Sequence, residues 1–164
     1  MKQLLAQGLE EGALGFSTGL EYVPERGCPP EEVVQLCRVA ADAQGFYATH
    51  TRNRPGEASE TIREAIDTAA AAHIPLQISH ISVVARLIED SRFAVEQSIQ
   101  QVDQANRNGM DVGFDMHTRL FGTTNLSAVL PPWALEGSTA DVAARLRSPS
   151  TRKEMRQHTR GWSM

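Results

Sequence analysis

The sequence predicts an α/β protein built on a parallel sheet, and three observations carry that expectation. Long amphipathic stretches with helical spacing alternate with short, mostly apolar runs. Each helical stretch closes on a stop signal before the next run begins. The resulting order is α-β-α-β-α-β-α-β, with the strand-like runs starting near residues 13, 46, 76 and 111. A parallel pair needs a crossover that returns the chain to the same end, and an amphipathic helix is the usual crossover. This rhythm excludes an antiparallel sandwich.

In chain order, residues 1–12 (MKQLLAQGLEEG) supply the first helical stretch, and ALGFS at 13–17 the first strand. Residues 31–44 (EEVVQLCRVAADAQ) place Val33, Leu36, Cys37 and Ala40 on one face, with Pro29 and Pro30 ahead, two glutamates in the first turn and Gly45 past the end. FYAT at 46–49 follows as the second strand. Residues 58–73 repeat the design with Ile62, Ala65, Ile66 and Ala69, ahead of LQIS at 76–79. His73, in the last turn of that helix, is accounted for by the helix dipole. Residues 91–108 do the same with Val95, Ile99 and Val102 before a stopping Gly109, and DVGFD at 111–115 is the fourth strand.

Composition narrows the function classes. The 164 residues carry a formal net charge of −4 from 16 basic and 20 acidic residues without blocks, so no nucleic-acid partner is expected. No apolar run is long enough to span a membrane, and residues 1–12 turn acidic where a signal peptide would stay apolar. A cytoplasmic location is the expectation. Cys28 and Cys37 lack the spacing of a disulfide framework or a zinc cluster and read as free thiols.

Two parallel architectures fit the rhythm: an open doubly wound sheet and a (β/α)₈ barrel. A doubly wound nucleotide binder would carry a glycine-rich phosphate turn after a strand, and GALGFSTG has neither the spacing nor the following helix. The barrel is favoured. A closed barrel takes about 250 residues, so four β-α units make a partial (β/α)₈ barrel.

Two of the runs end alike, FYATH on His50 and PLQISH on His80. In parallel α/β folds, functional groups gather where strands end and helices begin. Neighbouring strands lie about 5 Å apart, so residues at equivalent strand ends can reach one metal ion. The residues alone leave two readings: a pair of hydrogen-bonded structural histidines, or two ligands of a metal site. His117, two residues past the fourth run, is a weaker candidate for the same site, and His158 lies in a polar tail without a role.

The segments EGALGFSTGLEYVP (11–24), YATHTR (47–52), PLQISH (75–80) and LPPWALEG (130–137) resemble, in order and spacing, the N-acyl-D-amino-acid deacylases (D-aminoacylases) of the amidohydrolase superfamily. The resemblance covers roughly residues 1–150. It implies a zinc-dependent barrel that hydrolyses the amide of N-acyl-D-amino acids, small molecules that would be the partner here. His50 and His80 match the metal-binding histidines of the fifth and sixth strands of that family. Tyr22 matches a substrate-binding tyrosine, Thr123 a substrate-contacting serine, and His117 stands in place of a tyrosine that contacts substrate.

Departures are informative too. The family's first-strand His-x-His pair, its metal-binding cysteine and its acid/base aspartate have no counterpart here. That aspartate is expected beyond residue 164, so no catalytic acid/base is assigned within this chain. Around the pocket, Arg52-Asn53-Arg54 replaces an Arg with an acid two positions on, Ser82 replaces a lysine, and Asp115-Met116-His117-Thr118-Arg119 replaces an Asp followed by Tyr-Pro-Tyr. The expectation is therefore a central part of a zinc amidohydrolase, residues 1–146 in the barrel and 147–164 a helical or frayed tail, inactive by itself and prone to self-association through unpaired barrel edges. The competing expectations are a non-catalytic half-barrel that serves as a metal-binding or assembly module, and a cyclic-amide hydrolase of the dihydroorotase or hydantoinase kind.

Overall fold

Apolar residues at helical and at alternating spacing fold into the order anticipated above. The structure is a computed structural model that describes residues 1–52, 58–81, 91–118, 125, 127 and 130–158. Helices α1 (Lys2–Glu10), α2 (Pro30–Asp42), α3 (Ala58–Ala72) and α4 (Ser91–Arg107) alternate with strands β1 (Gly15–Gly19), β2 (Phe46–His50), β3 (Leu76–Ile78) and β4 (Val112–Phe114). The chain divides into two compact units, Met1–Thr118 and Arg119–Met164.

In the first unit the strands form one parallel sheet in the order β1-β2-β3-β4. Each new strand is added on the same side, so the order never reverses as it does in a doubly wound sheet. With right-handed crossovers, such an order keeps the connecting helices on one face, as in a barrel wall. The partial barrel expected from the sequence is the fold observed.

Strand alternation then separates two faces. Tyr47 and Thr49 of β2, Leu76 and Ile78 of β3 and Val112 of β4 are buried on the helix side, among Val33, Cys37 and Ala40 of α2, Ile62, Ala65 and Ala69 of α3, and Val102 of α4. Phe16 stacks on Tyr47 at 5.9 Å, and the Tyr47 hydroxyl meets Thr18 Oγ1 at 2.8 Å. The opposite face carries, in one register row, Ser17, Ala48, Gln77 and Gly113. That row mixes small and polar side chains.

Burial also sets thiol chemistry. Cys37 is fully buried, and desolvation pushes its pKa to about 12. We expect Cys37 to resist a thiol reagent at pH 8 in the folded chain and to react once urea unfolds it. Labelling of Cys37 at the same rate in both states would contradict this packing.

Differences at the element ends have local causes. The first strand was expected at 13–17 and runs Gly15–Gly19, because Ala13 N–H still bonds back to Gly8 O at 2.9 Å in the turn that ends α1. Helices α2, α3 and α4 end in one and the same motif. A residue in the left-handed region follows each helix: Gln44 (φ 57°), His73 (φ 53°) and Gly109 (φ 87°). Its N–H and the next one bond back to the last turn, as in Ile74 N–H to Ala69 O at 3.2 Å. His73 is thus the left-handed cap itself, a sharper role than the dipole interaction expected. Replacing it with glycine removes a strain of about 1 kcal/mol, so His73→Gly should raise the urea midpoint, and Gln44→Gly should act in the same direction. A lowered midpoint for both would show that the side chains contribute more than the backbone strain costs.

The second unit contains a 3₁₀ turn at Pro132–Leu135, α5 (Thr139–Arg147) and α6 (Pro149–His158). A capping box starts α5: Ser138 Oγ accepts from Asp141 N–H while Asp141 accepts from Ser138 N–H. Met155 of α6 is buried.

Candidate metal centre

His50 ends β2 on the face opposite the helices, because it alternates with the buried Tyr47 and Thr49. Its ring, 17% exposed, presents Nε2 to the Glu21 carboxylate, which is 15% exposed. Glu21 follows β1 in a tight turn closed by Tyr22 N–H to Gly19 O at 2.9 Å and by Gly19 N–H to Glu25 Oε2 at 2.6 Å. Arg52 holds the far side of that loop. Its guanidinium donates to Arg26 O, to Cys28 O at 2.9 Å and in a fork to Glu64 of α3 at 2.9–3.1 Å. The arginine two residues past the histidine therefore ties the Glu21 loop to the helix that follows.

His80 lies two residues past β3 in the left-handed region, at φ 51°. A non-glycine residue there needs outside support. Asp115, just past β4, supplies it: Oδ1 accepts from the His80 backbone N–H at 2.8 Å and faces His80 Nδ1 at 3.1 Å. Gln77 Nε2 donates to the other carboxylate oxygen at 3.2 Å. Burial pulls the Asp115 pKa up, but the His80 backbone N–H, the Gln77 amide and the His80 ring outweigh it and hold the carboxyl below its usual range.

The sequence-predicted residues meet in a row of rings. Tyr22 tilts against His50 with centroids 5.0 Å apart, His50 meets His80 edge-on at 5.4 Å and 75°, and His117 stacks on His80 at 4.4 Å. Thr123 lies outside the described residues. A groove of about 620 Å³ is lined, among the described residues, by α2 and α3 side chains such as Val34, Arg63 and Asp67 and by none of the rings of this row.

Does the pair suit a zinc ion? Two imidazole nitrogens at about 2 Å from a tetrahedral ion put the ring centroids about 5 Å apart. The observed 5.4 Å matches, and the edge-on angle keeps the rings from blocking each other. With Nε2 of His50 facing Glu21 and Nδ1 of His80 facing Asp115, the nitrogens left for a metal are His50 Nδ1 and His80 Nε2. Carboxylates on the outer nitrogens are the usual support of metal-binding histidines. The donor set fits, as two ligands of a larger set: among the described residues no group of three or more His, Cys, Asp or Glu could hold a metal ion.

The fold is that of part of a (β/α)₈ barrel of the kind found in amidohydrolases, and comparison with solved structures bears this out. The chain is similar to D-aminoacylase of Alcaligenes xylosoxydans xylosoxydans, 27% identical over 126 residues that make up 77% of this chain and 25% of that protein. It is likewise similar to N-acyl-D-glutamate deacylase of the same organism, 29% identical over 117 residues, 71% of this chain and 23% of the relative. Among solved structures, N-acyl-D-glutamate deacylase from Bordetella bronchiseptica, complexed with zinc and a phosphonate mimic of the reaction's tetrahedral intermediate, superposes with a TM-score of 0.65 at 27% identity, covering 72% of this chain and 24% of that one. A D-aminoacylase described as defining a novel subset of amidohydrolases gives 0.64 at 26% identity, covering 74% and 26%. No family model matches the chain. The chain thus spans about a quarter of the length of the curated relatives it matches.

Sequence reasoning missed Glu21 altogether and placed Asp115 around the pocket without giving it a role. Both left a signal. Glu21 adjoins the singled-out Tyr22, and Asp115 closes the fourth run much as His50 and His80 close the second and third.

Proposed function

We propose that this chain supplies the metal-holding strand ends of a zinc-dependent hydrolase of N-acyl-D-amino acids. The observation that carries the reading is the 5.4 Å edge-on meeting of His50 and His80 at neighbouring strand ends, each ring backed by a carboxylate. Zinc, when bound, would polarise an amide carbonyl and acidify a water. His50 and His80 would hold it, with Glu21 and Asp115 fixing the ring tautomers. Tyr22, beside His50, offers a phenolic hydrogen bond to substrate, and His117 offers an exposed ring edge on the far side of His80. By the resemblance alone, Thr123, outside the described residues, would be a further substrate contact. The acid/base that returns a proton to the leaving amine would come from outside this chain.

Residues 1–146 would belong to the barrel and 147–164 to a tail, in a cytoplasmic protein. Among the described residues no helix is long and apolar enough to cross a membrane. The outer edges of β1 and β4 have no strand partner among the described residues, and self-association of the chain would use them.

The test is a pair of assays on N-acetyl-D-methionine with added zinc. The 164-residue chain by itself should show no turnover. A D-aminoacylase carrying residues 11–137 in place of its own matching segment should hydrolyse the substrate, and the same chimera with His50→Ala should not. Turnover by the chain alone, or a folded chimera that opens only cyclic amides, would overturn the reading. The specific observation on the side of a non-catalytic metal-binding module is the two-histidine donor set. A chimera that folds and binds zinc but cleaves neither substrate class would favour it.

A further inference from the structure

Gln77 lies in the middle of β3, on the face opposite the helices, two rows below His50 and three residues before His80. In the register its neighbours are Ala48 on β2 and Gly113 on β4. A Cβ built on Gly113 would lie 2.7 Å from Gln77 Oε1, so the absence of a side chain there is what gives the Gln77 amide its room. From that place Gln77 Nε2 donates to Asp115 Oδ2 at 3.2 Å, leaving Asp115 Oδ1 for the backbone N–H and Nδ1 of His80. Glycine, amide, carboxylate and imidazole follow one another without a gap.

Building on the proposed metal site, we propose that Gln77 is a positioning residue: through Asp115 it fixes the Nδ1–H tautomer of His80 and turns Nε2 to the metal, and Gly113 keeps its place open. A carboxylate has several acceptor directions and rotates readily. The Gln77 N–H occupies one oxygen, so the other is aimed at His80. His80 sits in a strained left-handed backbone, and the same Oδ1 holds its backbone N–H, so ring and backbone are set together.

The experiment reads the tautomer directly by long-range ¹H–¹⁵N NMR of the histidine rings in the metal-free 164-residue chain, at a pH where the ring is neutral. Wild type should show His80 with the proton on Nδ1. In Gln77→Leu the ring should shift toward the Nε2–H form that free histidine prefers. Gly113→Ala should do the same with little loss of stability, because its methyl group meets only the mobile end of the Gln77 side chain. It therefore decides the matter if Gln77→Leu fails to fold. In the same samples, zinc affinity by chelator competition should fall roughly 10–100-fold in both variants. An unchanged His80 tautomer in Gly113→Ala and in any folded Gln77→Leu would overturn the proposal, as would a wild-type His80 protonated on Nε2. A tautomer that responds as expected in a chain that binds no zinc would leave the relay standing and remove the zinc reading instead.

Discussion

His80→Ala is expected to lower the zinc affinity of the chain beyond the roughly 10–100-fold that loss of an outer-sphere partner costs. The reason is the size of the donor set. Only two imidazoles converge among the described residues, so removing one leaves a single nitrogen. His50→Ala should match it. Glu21→Gln keeps the shape of the side chain and weakens only the support of the His50 ring, so it should fall between wild type and the alanine variants. His117→Ala should leave the affinity unchanged, because its ring is stacked face to face on His80 at 15° and does not converge on the same point. Chelator competition at constant pH reads all four, with circular dichroism to check that each variant folds. Equal affinity in wild type and His80→Ala would separate these histidines from any metal site.

The second large effect concerns stability. Ile78 is 0% exposed, two residues before His80, and pairs with Thr49 of β2 and Phe114 of β4 in the interior of the sheet. It is a large side chain in a core where alanines line much of the facing helices, among them Ala65, Ala69 and Ala72 of α3. Those short side chains cannot reach into the space that truncation would open. Ile78→Ala should therefore cost about 2–5 kcal/mol, a large fraction of an ordinary domain's stability, and should shift the urea midpoint down at unchanged slope. Ile78→Val should cost about 0.5–1.5 kcal/mol. An Ile78→Ala midpoint within error of wild type would show that the sheet and its helices are not packed as described.

Much of this fold could be read from periodicity. The α2 face of Val33, Leu36, Cys37 and Ala40 was legible because four apolar positions at helical spacing can be buried in only one way, and all four are buried. Strand ends were less legible. The chain leaving α1 stays in its cap until Ala13, and no residue type at 13 or 14 announces that the strand begins at Gly15. His50 and His80 stood out because histidines closing two successive runs are conspicuous, and the resemblance gave them a chemistry. Glu21, Gln77 and Asp115 did not stand out, since their roles depend on which side chains face one another across β1, β2, β3 and β4. The left-handed φ of His80, which brings its backbone N–H to Asp115, is only weakly signalled by residue type.

The claim on which all else depends is that imidazoles from two adjacent strands share one zinc ion. Zinc X-ray absorption on the metal-loaded chain tests it most directly. The account predicts two imidazole nitrogens at about 2 Å from each zinc, and the loss of that signal in His50→Ala/His80→Ala. Zinc bound without imidazole scattering, or with a spectrum the double substitution leaves intact, would contradict it.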